Sequence, residues 1–292
     1  SAQETESQSP TISLPLPTPD VNYEGMDMKK SVRLLTGGSV VELTMYDYLV
    51  GVVAAEMPAS FLEEALKAQA VAARTYTYYK MINGSNHENA DVCDDCNCCK
   101  AYLSYDALKE KWGDKFDYYI DIISRCVKQT DGLCVTYENE PILAAFHSSS
   151  NGYTEDSINV WSSPLPYLVS VESPESGVSV PNYFSELIVS LAEFKNTVGK
   201  SYPLAVFESE AEGWITNVVY SRSGRIVSVQ IGGVVMTGTE LRNLFELRST
   251  AITWQLENEG IRFEVTGYGH GVGMSQYGAN EFAKNGAKYT DI

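Results

Sequence analysis

The sequence predicts an α+β fold made of a helix-hairpin core, short antiparallel sheets and an inserted smaller α+β lobe. Two adjacent helical segments, separated by Pro58, predict the helical hairpin. Short β-type runs joined by turn residues predict the antiparallel sheets. From about residue 183 to residue 265 strand and helix patterns alternate, which favours a smaller lobe inserted into a longer domain.

The composition excludes several classes of protein. The chain has 292 residues, of which 44% are hydrophobic and 11% aromatic, so it can fold around a large core. It carries 21 Lys and Arg against 38 Asp and Glu, a net charge of −17. Such a chain repels phosphate backbones, so we expect no nucleic-acid partner. The sequence lacks a run of about 18 apolar residues and therefore predicts no membrane span.

The first 30 residues differ from the rest in composition. They are rich in Ser, Thr and Glu, and four prolines are closely spaced: Pro10, Pro15, Pro17 and Pro19. This composition favours extended chain, so we expect residues 1–30 to be a flexible tether ahead of a domain over residues 31–292. Because the sequence starts at Ser1 without a signal peptide, we expect an anchor or signal segment to precede it in the native protein.

One carboxylate lies at the end of an apolar helix. Thr44 with Asp47 predicts a helix that begins near Met45, and Pro58 stops it, so Glu56 lies in the last turn. The negative end of the helix dipole and the apolar neighbours should raise the pKa of Glu56. A glutamate that stays partly protonated near neutral pH can act as a general acid. The alternative is an ordinary solvated glutamate at a helix end.

A second helix follows the proline. Ser60 with Glu63 predicts its start, and we expect it to cover residues 61–82 and to end at Asn83-Gly84. The reversal at the proline would bring its first turns near the end of the preceding helix. Three polar side chains project from it: Lys67, Gln69 and Arg74.

Six cysteines are present, and four of them fall within residues 93–99. Such clustering is typical of a metal site rather than of a disulfide framework. We expect His87, Cys93 and Cys99 to bind Zn²⁺, with Cys96 and Cys98 between them. Three ligands with an open position would also suit a catalytic metal. The alternative is a disulfide that involves Cys98 or Cys99, while Cys126 and Cys134 are buried thiols or one bridge.

Shorter patterns complete the predicted elements. Strands are expected as a hairpin at 31–35 and 39–43, and as a second pair at 133–137 and 142–146 around a turn. Helices are expected at 105–111 and 116–127. Within the lobe we expect a helix at 185–198, strands at 215–220, 226–231 and 261–265, and a short helix from Thr239 to residue 247.

Two further segments have the composition of a functional site. The strand that ends at Phe146 leads into the polar residues His147, Ser148, Ser149 and Ser150, and polar residues at a strand end are typical of a site. A Ser/His nucleophile is the alternative, but no nucleophile-elbow motif accompanies it. Near the C-terminus four glycines within residues 267–273 flank His270, and Ser275 and Gln276 open a helix that we expect to run to about residue 286. Its free amides could bind an oxygen of a ligand.

Three separated segments resemble one family. They are Ala55-Glu56-Met57-Pro58 followed by residues 64–76 (EALKAQAVAARTY), residues 146–154 (FHSSSNGYT) and residues 269–279 (GHGVGMSQYGA). Together they resemble the stage II sporulation protein D family, peptidoglycan lytic transglycosylases used in engulfment. The resemblance covers about residues 31–292, and the cysteine-rich run resembles the sporulation branch of the family.

The resemblance implies a reaction and a set of roles. A lytic transglycosylase breaks the bond between N-acetylmuramic acid and N-acetylglucosamine without water. Glu56 would protonate the glycosidic oxygen and then take the proton from the muramic 6-hydroxyl, which closes a 1,6-anhydro ring. One carboxylate can serve both steps. The residues expected to bind the substrate are Lys67, Gln69, Arg74, His147, Ser148, Ser149, Ser150, His270, Ser275 and Gln276.

For Arg74 an ion pair with a neighbouring acid is the alternative to binding the lactyl carboxylate.

The resemblance also implies partners and a location. We expect peptidoglycan glycan strands as substrate, a wall amidase that strips the peptides first, and a membrane partner that localises the complex. The expected location is the extracytoplasmic face of the engulfing membrane in a sporulating cell. Because related proteins enhance wall amidases without cutting glycan, a non-catalytic enhancer is the alternative function.

Overall fold

The computed structural model describes residues 23–161, 163–208, 210–257 and 260–292. Residues 1–22 of the predicted tether lie outside the described residues. The remainder of that segment is folded, because it forms helix α1 (Met26–Lys29). The Asp131 carboxylate accepts hydrogen bonds from the Met26 and Asp27 N–H groups, at 2.7 and 2.9 Å, and Asp27 is fully buried. The folded part of the chain therefore starts before the predicted boundary at residue 30.

The predicted N-terminal hairpin is confirmed. Strand β1 (Ser31–Thr36) pairs antiparallel with β2 (Ser39–Thr44). Gly37 and Gly38 join them with φ values of 56° and 78°, which a two-residue hairpin turn requires. On its other edge β1 pairs in parallel with β3 (Val92–Cys93), so the hairpin carries part of the cysteine-rich segment.

Helix α2 (Met45–Glu56) begins and ends where the sequence predicts. The Thr44 hydroxyl accepts a hydrogen bond from the Asp47 N–H at 3.0 Å, and Met57 before the proline is extended. Gly51 in its middle faces the Tyr102 ring, where a Cβ would lie only 2.3 Å from a ring carbon. Most residues of α2 are buried, so this helix runs through the centre of the first core.

Helix α3 (Glu63–Asn83) starts differently from the prediction. The N-cap is Leu62, which has no capping side chain, so the predicted Ser60 cap is wrong. The Phe61 N–H instead closes a turn onto the Pro58 carbonyl, at 2.9 Å. The Leu62 N–H donates to Asn280 Oδ1 in the C-terminal helix α9 (Gln276–Lys284), at 2.9 Å. A contact between segments 218 residues apart thus replaces the local cap.

The next helices are confirmed, whereas the next strands are shorter than predicted. Helices α4 (Tyr105–Trp112) and α5 (Phe116–Gln129) follow α3, and α5 packs against both α2 and α3. Two residues of the predicted strand at 133–137 form a ladder, as β4 (Thr136–Tyr137), and their partner β5 (Glu140–Pro141) lies in the predicted turn rather than in the predicted strand at 142–146. Pro141 has no N–H to extend the pairing. Strand β6 (Phe146–His147) pairs instead in parallel with β13 (Met274–Ser275).

The segment between these strands builds a second hydrophobic core from residues 189–265. Its elements, in chain order after the short helix α6 (Ile158–Trp161), are β7 (Phe184–Val189), α7 (Leu191–Ser201), β8 (Ile215–Tyr220), β9 (Ile226–Ile231), β10 (Val234–Thr237), α8 (Gly238–Leu244), β11 (Ile252–Glu257) and β12 (Gly260–Thr266). Two three-stranded antiparallel sheets result, in the orders β10-β9-β8 and β11-β12-β7.

Two predictions inside this lobe are wrong. The predicted helix at 185–198 is a strand in its first part, because β7 pairs along its length with β12, and α7 starts only after the Ser190 cap. The cap of α8 is Thr237 rather than Thr239, and it forms a reciprocal capping box with Glu240. Strands β8, β9 and β12 were predicted, whereas β10 and β11 were missed. The α+β class is confirmed, and no helix in the described ranges is long and apolar enough to cross a membrane.

Candidate active site

Glu56 is held by donors from two distant parts of the chain. Its Oε1 accepts a hydrogen bond from the Ala101 N–H at 3.0 Å, and its Oε2 accepts one from Gln276 Nε2 at 3.2 Å. These donors are 45 and 220 residues away in sequence. Glu56 itself is half-buried at the end of α2. The fold therefore brings the glycine-rich segment to this carboxylate.

Lys100 is a site residue that the sequence analysis missed. Its ammonium lies 3.7 Å from the centroid of the Phe146 ring and 4.4 Å from that of Tyr76, a cation–π arrangement. Burial lowers the pKa of Lys100 to about 8, while the negative charges of Glu56 and Cys99 act in the opposite direction. In the sequence this lysine is marked only by its place directly after the Cys98-Cys99 pair.

The cysteine-rich segment forms a compact ligand cluster of His87, Cys93, Cys98 and Cys99, whose ligand atoms all lie within 4.8 Å of one another. His87 Nε2 is 3.5 Å from the Cys98 sulfur and 3.7 Å from the Cys99 sulfur. Cys98 is thus the fourth member, which the prediction had left out. Cys96 is exposed and stands apart from the cluster.

The chemistry of this donor set fits zinc. Three thiols and one imidazole match a tetrahedral structural site. Burial raises the pKa of the Cys93 thiol to about 12, and it also raises that of Cys99. A divalent cation reverses this effect by binding thiolates. All six cysteines, which lie in the described ranges, are free thiols, so neither the cluster nor Cys126 with Cys134 forms a bridge.

Polar contacts attach the cluster to the first hairpin. Asp91 forms an ion pair with Arg33 at 2.7 Å, and the Thr36 hydroxyl donates to Asp94 at 2.6 Å. Together with the β1–β3 ladder, these contacts fix the cluster beside the sheet. The chain then passes directly from Cys99 to the Ala101 donor, so the cluster lies two residues from a hydrogen bond to Glu56.

Among the described residues, the hydrogen-bond donors to Glu56 do not include the polar residues of α3. Arg74 is fully buried, and its guanidinium pairs with Asp27 through bonds of 2.7 and 3.0 Å. The ion-pair alternative is therefore correct for this residue. Gln69 is fully buried, while Lys67 pairs with Glu64 at 2.9 Å. Sequence spacing could not show which faces of α3 would be covered by α1, α5 and α9.

The polar segment after β6 is largely scaffold. His147, Ser149 and Ser150 are buried, and the half-buried Ser148 carbonyl accepts a hydrogen bond from the Tyr277 N–H at 3.0 Å. We had expected these four residues to line a sugar cleft, and the three buried ones cannot, because packing covers them.

Glu175, which the sequence analysis did not single out, organises this scaffold. Its buried carboxylate accepts hydrogen bonds from the Ser150 N–H at 2.6 Å, from the Ser173 hydroxyl at 2.5 Å and from the Ser275 hydroxyl. Ser275 in turn caps α9 by accepting from the Gly278 N–H at 3.1 Å. Ser275 therefore acts within the fold rather than at the surface of the site.

His270 lies among aromatic rings and positive charges. Its ring centroid is 5.7 Å from that of His147 and 5.5 Å from that of Trp161. Burial lowers the pKa of His270 to about 3, and the charges of Lys100 and two arginines add to this effect. Its Nδ1 accepts the Val272 N–H at 3.1 Å, so the imidazole is neutral with its proton on Nε2.

The neighbouring glycines permit this packing. Gly273 has a φ of 75°, and a Cβ there would lie 2.1 Å from the Ala145 carbonyl oxygen. At Gly271 a Cβ would lie 2.7 Å from the buried guanidinium of Arg225. The glycine-rich segment is therefore a close-packed part of the fold and not a flexible surface loop.

Comparisons with known proteins identify related sequences. Residues 36–137 match the family described as Stage II sporulation protein. Stage II sporulation protein D of Bacillus subtilis (strain 168) is 39% identical over 256 residues, which cover 87% of this chain and 73% of that protein. The protein of the same name from Bacillus amyloliquefaciens is 38% identical over 87% of this chain and 72% of its own.

A more distant relative has a different name. The Amidase enhancer of Bacillus subtilis (strain 168) is 29% identical over 84% of this chain and 38% of its own length. The sporulation proteins are more similar and are covered over more than two thirds of their length. By sequence, this chain is a member of the stage II sporulation protein D family.

Proposed function

We propose that this protein is a lytic transglycosylase that cleaves peptidoglycan glycan strands and leaves 1,6-anhydromuramic ends. The observation that carries the proposal is the fixed position of Glu56, whose two oxygens are bound by donors from segments 45 and 220 residues away. A carboxyl group held in this way can be aimed at one oxygen of a bound sugar chain. The reaction needs only one such group.

The first step is proton donation. Protonated Glu56 gives its proton to the glycosidic oxygen between N-acetylmuramic acid and N-acetylglucosamine as that bond breaks. The resulting carboxylate takes the proton of the muramic 6-hydroxyl, whose oxygen attacks the anomeric carbon and closes the anhydro ring. The proton balance of Glu56 is restored, and no water enters the products.

The neighbours of Glu56 suit both steps. The Ala101 N–H can donate to the carboxylate that forms when the bond breaks. The Gln276 side chain donates to the carboxylate, and after an amide flip it can accept from the carboxylic acid. Gln276 can therefore keep Glu56 oriented in either protonation state.

Zinc is the proposed metal of the ligand cluster, held by His87, Cys93, Cys98 and Cys99. With four protein ligands it would act as a structural cross-link rather than as a reaction centre. The segment so fixed carries Lys100 and Ala101, so these residues would be held in place next to Glu56. This role replaces the three-ligand site with an open position that the sequence had suggested.

The proposed partners and location follow from the same function. We propose that a wall amidase strips peptides from the strands, and that a membrane partner holds the complex outside the cytoplasm of the sporulating cell. Membership of the sporulation family and the relationship to an amidase enhancer support this assignment. The net charge of −17 argues against nucleic acid as a partner.

Product analysis tests the activity. Purified glycan strands are incubated with the protein, and the products are examined by mass spectrometry. We expect ends that are one water lighter than hydrolysis products, which identifies the anhydro ring. Reducing ends without the anhydro ring would show a hydrolase, and intact strands at high protein concentration would remove the proposal.

A non-catalytic amidase enhancer is the second candidate, because a protein of that name is 29% identical to this chain. The two candidates differ in their dependence on Glu56. Stimulation of a wall amidase on whole peptidoglycan is measured with wild type and with Glu56→Gln. Equal stimulation by both proteins, without anhydro products from wild type, would favour the enhancer.

A further inference from the structure

A pocket lies beside the glycine-rich segment, in the lobe. Its volume is about 330 Å³, and it is lined by Arg242, Asn243, Glu246, Leu247, Arg248 and Tyr268. The end of α8 and the turn after it form most of the wall, and the first residues of the glycine-rich segment form the rest. Sequence reasoning assigned nothing to this part of the lobe.

Two half-buried arginines give the pocket its charge. The Arg248 guanidinium lies 4.2 Å from the centroid of the Tyr268 ring, and its Nε is buried with no hydrogen-bond partner among the described residues. Arg242 Nε donates to the Leu247 carbonyl at 3.1 Å, which fixes the base of its guanidinium. Glu246 also lines the pocket and is exposed, and no ion pair joins it to either arginine in the described ranges. The pocket thus presents two guanidinium groups, and neither forms an ion pair with a carboxylate in the part of the chain that the structure describes.

The pocket is next to the candidate active site. The Gly269 N–H donates to the Arg248 carbonyl at 2.9 Å, and His270 follows in the chain. Arg242 and Lys100 both lie close enough to His270 to lower its pKa, and Lys100 interacts with Glu56. The arginine pocket is therefore joined directly to the segment that carries His270 and, further along, Gln276.

Exposed aromatic rings flank the same stretch. Trp161 is 38% exposed and packs against the His270 ring, and Tyr268 is 44% exposed beneath Arg248. Aromatic faces next to polar groups suit sugar rings, which have apolar faces and polar edges. The surface near His270 thus offers both flat apolar faces and positive charge.

We propose that Arg242 and Arg248 form an anion subsite that binds a carboxylate group of the glycan strand. The inference rests on the proposed function and names the feature of the substrate that this site recognises. N-Acetylmuramic acid has a lactyl carboxylate where N-acetylglucosamine has a hydroxyl, and the forked guanidinium is suited to bind it. The pair supplies the local positive charge that a protein of net charge −17 needs for an anionic ligand. The pair would bind the lactyl carboxylate, the role that the family resemblance suggested for Arg74.

Binding without turnover tests this subsite. In the Glu56→Gln background, calorimetry compares peptide-free tetrasaccharides of the glycan strand with a neutral tetramer of N-acetylglucosamine. We expect the carboxylated ligand to bind more tightly than the neutral one. Arg248→Gln should weaken the binding of the carboxylated ligand roughly tenfold and leave the affinity for the neutral ligand unchanged. Arg242→Gln should act in the same way.

Arg222→Gln is the matched control. Arg222 belongs to the same lobe, but its side chain is 59% exposed and pairs with Asp156 at 2.7 Å. It should change neither affinity. Because the Arg242 side chain also binds a carbonyl, thermal unfolding of each variant is measured, and Arg248→Gln carries the test if Arg242→Gln loosens the turn.

Strands that still carry stem peptides identify the source of the carboxylate. In these strands the lactyl carboxylate is consumed in an amide bond, and the negative charge lies at the peptide ends. If these strands bind more weakly than stripped strands, the arginines recognise the lactyl carboxylate. If they bind equally well and Arg248→Gln still abolishes the binding, the arginines recognise a carboxylate of the peptide.

The subsite would be overturned if the arginine variants lost affinity equally for charged and neutral ligands, or lost affinity for neither. These binding results do not depend on anhydro products. A failure of the proposed reaction and a failure of the subsite can therefore be told apart.

Discussion

Two segments reach Glu56, and they are held in place by different means. Residues 87–101 supply the Ala101 N–H, and this segment depends on a cluster of three thiols and one imidazole. Residues 267–276 supply the Gln276 side chain, and this segment is fixed by main-chain hydrogen bonds and by the buried carboxylate of Glu175. One support contains the ligand set of the proposed zinc, whereas the other is built from hydrogen bonds within the protein.

The difference predicts how the site fails. Loss of the cation should free the Ala101 donor and the neighbouring Lys100, while the contact from Gln276 survives. Damage to the glycine-rich segment should instead disturb the β6–β13 pairing and the fold around it.

Glu56→Gln should have the largest effect on activity. The amide keeps the shape of the side chain but cannot donate and retrieve a proton, so turnover on glycan strands should fall by at least ~10²-fold. Binding of the strand and the thermal midpoint should change little. Release of anhydro products is the measurement, and a variant with near wild-type turnover would contradict the assignment of Glu56.

Cys93→Ser should break the support from the cysteine-rich segment. Elemental analysis of wild type should find about one zinc per chain, and the variant should lose most of it. Activity should fall roughly 10- to 100-fold because the segment next to Glu56 is no longer fixed. Cys96→Ser is the control, since Cys96 is exposed and outside the cluster.

A wild-type protein that is active and free of zinc would contradict the proposal that the cluster binds zinc. Treatment with a chelator gives an independent reading. The chelator should reduce activity as much as Cys93→Ser is expected to, and it should leave the unfolding of the lobe core at residues 189–265 unchanged.

Gly273→Ala should damage the other support. Its φ of 75° and the close Ala145 carbonyl leave no room for a methyl group, so the free energy of unfolding should fall by about 2 kcal/mol or more. Gly199→Ala is the matched control. It lies in helix α7 with nothing near its added methyl group, and it should stabilise by up to about 1 kcal/mol. Equal stability of the two variants in chemical denaturation would show that the segment is loosely packed.

The pH dependence of stability should show the smallest effect. The pKa of His270 is lowered to about 3, and that of His147 is also well below its usual value. Because the unfolded chain binds these protons near pH 6.5, each group lowers the stability of the fold as the pH falls below that value. The free energy of unfolding of His270→Gln, compared with that of wild type, should therefore be up to about 1 kcal/mol more favourable at pH 5 than at pH 8, after allowance for screening by solvent.

At pH 8 the same variant should show no such gain. The check is the difference in unfolding free energy between the two pH values, measured in parallel for both proteins. A difference that does not change with pH would mean that His270 titrates normally in the fold.

The sequence by itself determined the elements whose signals are local. Thr44 with Asp47 and the proline after Glu56 fixed both ends of α2, and the two glycines at 37–38 fixed the hairpin. The cysteine spacing predicted a ligand cluster, and three short segments were enough to indicate the family. These signals act over a few residues, so they need no knowledge of the rest of the chain.

Only the tertiary structure decided which side chains meet. Arg74 pairs with Asp27, 47 residues away, and the β7 segment is a strand because β12 lies beside it. Ala101 offers no side-chain signal, yet its N–H reaches Glu56. Such contacts depend on which faces pack together, and that is set by the burial of apolar surface over the whole domain rather than by local spacing.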